Sequence, residues 1–180
     1  MNILALLFVF AVSPVAVGTD SLPPSVKILF PSQDDYNGYT GSGNGCDFPG
    51  ELLGPLERFV ASSSPQNYVR YDIARLNRRG VPGLYYVYSP SACKKLRKYF
   101  QANVFVMARL ALLKCQELTD GTTRSWYDVE AKLYSVESGK EKILFRQHNV
   151  SRDQIDGFLR GREAQLFRVI AEVARGDAPD

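Results

Sequence analysis

From Trp126 to Val136 the chain alternates with period two. Tyr127, Val129, Ala131 and Leu133 fall on one side, and Asp128, Glu130 and Lys132 on the other. Successive side chains of a strand point to opposite faces, so this pattern predicts a half-exposed antiparallel strand. Glu137-Ser138-Gly139-Lys140 reads as a hairpin turn, with Lys142 to His148 pairing back. Val104 to Leu113 is almost wholly apolar, which predicts a central strand covered on both faces. The three strands lead into an amphipathic helix with several start signals. Ser151 is its N-cap, Gln154 completes a capping box, and Val150 can staple onto Ile155. Ile155, Phe158, Leu159, Leu166, Val169, Ile170 and Val173 form one stripe, and Gly176 follows Arg175 as a C′ residue. Gly157 and Gly161 weaken this helix by about 1 kcal/mol each relative to Ala.

The first half is more broken. Ser25 to Pro31 is a compact apolar run, a strand after Pro23-Pro24. Ser32 to Pro49 is a loop rich in glycine, Asp and Asn. Glu51 to Ala61 is helical, with Leu52, Leu56, Phe59 and Val60 on one face and Pro55 near its first turn. Asn67 to Asp72 reads as a second strand, Ile73 to Arg79 as one or two helical turns, and Leu84 to Tyr88 as another β-rich run. Ser89-Pro90 supplies an N-cap with Pro at N1 for a helix reaching about Gln101. The fold class expected is α/β (α+β): a mixed sheet with a C-terminal antiparallel meander and helices packed on it.

Met1 to Gly18 holds no charged side chain. Its apolar run ends at Pro14, and Ala16-Val17-Gly18 offers small residues for cleavage. We read 1–18 as a signal peptide, 19–176 as one domain and 177–180 as a frayed tail. The expected location is periplasmic or secreted. No cysteine lies beside the cleavage site, so a lipid anchor on an N-terminal cysteine is not available. About 160 residues remain, enough for a single domain with its own core. The net charge of +3 is mild, and a nucleic-acid partner is not expected. Cys46, Cys93 and Cys115 make an odd set with no C-x-x-C spacing. In an oxidising compartment one bridge and one thiol is the natural count, and Cys46 with Cys93 is the favoured pair. The alternative is three reduced, packed thiols.

The order of elements resembles the periplasmic α/β fold of the curli-secretion channel subunits, the lipoprotein activators of penicillin-binding proteins and the TolB amino-terminal domain. The resemblance is carried by Ile28-Leu29-Phe30-Pro31, by the long run Val104 to Leu113, and by Leu133 to Lys140, a strand closing in Ser-Gly-Lys. This chain lacks the lipid-attachment cysteine of many members and adds the Gly-rich stretch Ser32 to Gly45. The resemblance implies an envelope accessory or assembly domain that binds another protein.

Little in the sequence suggests catalysis. His148 is the one histidine, so any triad must use it. A small hydrolase built on His148 is therefore an alternative reading. One histidine and three scattered cysteines give no zinc spacing. Asp34 and Asp35 lack the ordered acidic spacing of a calcium loop, and the glycines form no phosphate-binding motif. No metal or cofactor is expected. The candidate binding residues are Asp34, Asp35, Tyr36, Tyr39 and Phe48 in the 33–48 loop, and Lys94, Lys95 and Lys98 on a basic helix face. Tyrosines among glycines suit an adaptable recognition loop, through which a secreted inhibitor or effector could also dock. The basic face suits an acidic partner or, weakly, an anionic membrane surface. The leading function is an exported, non-enzymatic accessory protein acting on another envelope or secreted protein. Asn149-Val150-Ser151 matches a glycosylation acceptor in a eukaryotic source.

Overall fold

The computed structural model describes residues 22–31, 50–78, 88–151, 154 and 157–176. Five strands form one mixed sheet in the order β2-β1-β3-β4-β5. They are β1 (Ile28–Leu29), β2 (Tyr68–Val69), β3 (Val104–Glu117), β4 (Thr123–Ser135) and β5 (Glu141–Ser151). β1 runs parallel to β2 and β3, while β3, β4 and β5 form the antiparallel meander. The helices are α1 (Gly50–Ser63), α2 (Ile73–Arg78), α3 (Pro90–Phe100) and α4 (Glu163–Arg175). The architecture is α+β, with helices on both faces of the sheet.

Strand alternation divides the core in two. Val104, Val106 and Ala108 of β3 and Val129, Ala131 and Leu133 of β4 face α1 and α4, whose Leu52, Leu56, Val60, Leu166 and Ile170 are buried with them. Leu29, Phe105, Met107 and Tyr134 face the other way, against Leu76 of α2 and Cys93, Leu96 and Phe100 of α3. Ser89 caps α3 by accepting the Ala92 N–H at 3.3 Å, with Pro90 at its start. The hairpin after β4 turns at Gly139, whose φ of +69° suits glycine.

The parallel half is held partly by side chains. Fully buried Asn67 donates from Nδ2 to the carbonyls of Pro23 and Val26, both at 2.8 Å. Its Oδ1 accepts from the Ser64 hydroxyl at 2.8 Å. On the other flank Asn103 Oδ1 accepts the Lys27 N–H at 2.7 Å, and its Nδ2 donates to Ser25 at 3.1 Å. These amides act as strand partners where β1 and β2 are only two residues long. The sequence reading made both strands longer; Phe30 and Pro31 after β1 are buried without continuing the ladder, while β2 itself is only half-buried.

Two further expectations are corrected. The last helix does not run unbroken from Ser151. Ser151 ends β5, turns occupy residues 157–162, and Gly161 at φ +78° separates them from α4. The Gln154 side chain still accepts the Ser151 N–H at 3.1 Å, half of the expected capping box. Arg162 caps α4 with no side-chain bond. β3 is also not covered along its length. Val104 to Ala108 are buried, whereas Leu112 and Leu113 are 44% and 50% exposed. Its outer half extends beyond the two packed cores, a property no local hydropathy pattern encodes. The Ile155 staple, the strand at 84–87, the 1–18 leader and the 177–180 tail lie outside the described residues.

Candidate functional site

Past Met107, the α2–α3 face of the sheet changes from apolar to charged. Arg109 of β3 stands opposite Glu130 of β4, and Glu130 in turn opposite Arg146 of β5. Alternation places Glu130 on the charged side of β4, which the sequence reading took as solvated. Instead Glu130 is 8% exposed. The Tyr88 hydroxyl donates to its Oε1, and Arg146 donates to its Oε2 and pairs with it. The Tyr88 bond, then the Arg146 bond and charge, hold the Glu130 carboxyl below the usual carboxylate range against the opposing effect of burial. Nearby, Lys132 Nζ lies 4.3 Å and the Arg109 guanidinium 5.3 Å from the Tyr88 ring centroid. Lys132 also bonds Glu141 at 2.7 Å. With both oxygens engaged and its ionised form favoured, this carboxylate suits structural pinning.

His148 sits in β5, the strand expected to pair back from Lys142. The register steps from Tyr127 opposite Val150 to Val129 opposite Gln147, so His148 and Asn149 together face Asp128. Two residues against one is a β-bulge. Asn149 adopts φ +57°, and its N–H donates to Asp128 Oδ1 at 3.3 Å. His148 Nδ1 lies 3.1 Å from the same oxygen, its side chain 73% exposed. Geometrically this is a base–orienter pair. Among the described residues, however, His148 bonds no hydroxyl or thiol.

Toward the hairpin end, Leu112 pairs with Tyr127 and Lys114 with Trp126, so Leu113 is bulged out. Lys114 Nζ lies 4.1 Å and the Arg124 guanidinium 5.9 Å from the half-buried Trp126 ring. Exposed Cys115 accepts from the Ser125 hydroxyl at 3.6 Å. Cys93, in contrast, is fully buried with Sγ 3.3 Å from Met107 Sδ, and burial pushes its thiol up to about 12.

Of the sequence candidates, Lys94, Lys95 and Lys98 are exposed together on α3, with Arg97. Asp34, Asp35, Tyr36, Tyr39, Phe48 and Cys46 lie outside the described residues. Sequence reasoning missed the Tyr88–Glu130–Arg146 group and the bulged leucine. The alternation of β4 marked Glu130; nothing local marked its cover, which comes from residues 42 positions before and 16 after it. Among the described residues no group of His, Cys, Asp and Glu is arranged to hold a metal ion. No described helix is long and apolar enough to cross a membrane.

No protein-family model matches the chain, and no curated protein matches it. Among solved structures, the hypothetical protein CT253 from Chlamydia trachomatis is similar at 14% identity with a TM-score of 0.28. The match covers 84% of this chain and 92% of that one.

Proposed function

We propose that this chain is an exported accessory protein of the cell envelope that works by binding another protein. The reading rests on one observation: the outer β3–β4 ribbon presents adjacent leucines, Leu112 and Leu113, to solvent. Single exposed apolar side chains are ordinary. Two consecutive exposed leucines at a bulge, on a ribbon that also carries the cation-flanked Trp126, suit a protein-binding surface. The resemblance to periplasmic accessory domains and the leader-like Met1–Gly18 support export.

The test is site-specific photo-cross-linking in the native envelope. A photoreactive residue at Leu113 gives a discrete adduct that the same residue at Glu172, an exposed position of α4, does not. Equal smears from both positions, or no adduct at Leu113, would overturn the reading.

The Asp128–His148 pair favours one other reading, a small hydrolase with His148 as base. It needs a nucleophile from the undescribed residues or from water. Full biological activity of His148→Ala removes it.

A further inference from the structure

The sequence that contains α2 and α3 differs in charge from the rest of the chain. From Arg70 to Asn103 the chain carries eight basic side chains against one acid, Asp72, a net of +7. The whole chain is +3, so all other residues sum to −4. Asp72 is already committed to Arg78 at 3.8 Å.

On α3 the basic side chains share one face. At 100° per residue, Arg97, Gln101, Lys94, Lys98, Ser91 and Lys95 fill an arc roughly 160° wide. All six are exposed. The arc holds no acid, and its one apolar residue is Pro90, half-buried at the start of the helix. None of its four cations pairs with a carboxylate among the described residues. The apolar arc, Cys93, Leu96 and Phe100, is buried against the sheet. α3 is therefore a fixed rack of four positive charges, with nothing left to insert into hydrocarbon.

We propose that this arc docks the protein on an anionic lipid bilayer by charge alone, without insertion. The chemistry of the arc favours lipid over a folded acidic protein. Protein hot spots centre on Trp, Tyr and Arg; this arc has one Arg and no aromatic residue. Lysine ammonium groups are point charges without a bidentate geometry to satisfy. They match a fluid array of phosphates better than a fixed constellation. A nucleic-acid face would add aromatic platforms, which the arc lacks. This surface is separate from the Leu112–Leu113 ribbon, so either proposal can fail alone.

Each cation near an anionic surface strengthens partitioning about fivefold. The measurement is co-sedimentation of the purified full chain with phosphatidylcholine vesicles, with and without phosphatidylglycerol. The expected result is binding only to the phosphatidylglycerol vesicles at about 0.1 M salt, lost at about 1 M, where the screening length shrinks to ~3 Å. Combined Lys94→Gln, Lys95→Gln and Lys98→Gln lowers partitioning about a hundredfold. The corresponding triple Lys→Arg variant keeps it. All three side chains are solvent-facing, and far-UV circular dichroism confirms that the variants fold. Equal binding to neutral vesicles, or an unchanged triple Gln variant, overturns the proposal. So does binding to immobilised polyglutamate with none to the anionic vesicles, which would assign the arc to an acidic protein.

Discussion

A carboxylate that is 8% exposed stays ionised only with partners at hand, and Glu130 has Tyr88, Arg146 and the nearby charge of Arg109. Its folded value lies below its unfolded one. The stabilisation is therefore complete above the unfolded value, about 4.3, and is lost as pH falls through the folded value. Glu130→Ala should cost about 2 kcal/mol in urea unfolding at pH 7. The gap to the parent protein should narrow steadily below about pH 4. A gap of constant size at pH 3 would assign the loss to packing. The two described cysteines make the opposite contrast. Maleimide should label exposed Cys115 in the native protein, and Cys93 only in denaturant. A Cys93 that resists until reductant is added as well carries the expected bridge to Cys46.

Elements were legible where one local signal fixes them. Ser89-Pro90 announces α3, and the alternation of β4 gives both its faces. They were not legible where distant residues decide. How far β3 stays covered depends on helices from other parts of the chain, so the run to Leu113 looked buried and is not. The final helix shows a subtler failure. Its apolar stripe continues through residues 155–173, but Gly161 takes a left-handed conformation, and periodicity does not report backbone sign. Gly161→Ala should destabilise by about 1–2 kcal/mol in thermal unfolding, because a Cβ is strained there. Gly157, which has no positive φ, should tolerate Ala with little loss. Equal effects at both positions would mean that α4 runs through the turn. Truncating Ile170 to Ala, in contrast, should cost about 2–5 kcal/mol by opening a cavity between α4 and the sheet.

At the scale of the whole molecule, the layout of charge was partly legible and the candidate site was not. Lys94, Lys95 and Lys98 were read as one face and are one. The ribbon leucines and the Glu130 group become visible only once three strands are in register. Export is checkable without any partner: mass spectrometry of protein recovered outside the cytosol should find Thr19 as the first residue. A chain that still begins at Met1 would argue against it. Finally, the amides of Asn67 and Asn103 have no proton to lose or gain anywhere near physiological conditions. Acidification therefore leaves the grip on residues 23–27 intact while it loosens the meander around Glu130. The amide grips on the Pro23, Ser25, Val26 and Lys27 backbone do not themselves titrate, whereas the Glu130 group does, so souring should slacken the meander ahead of those grips.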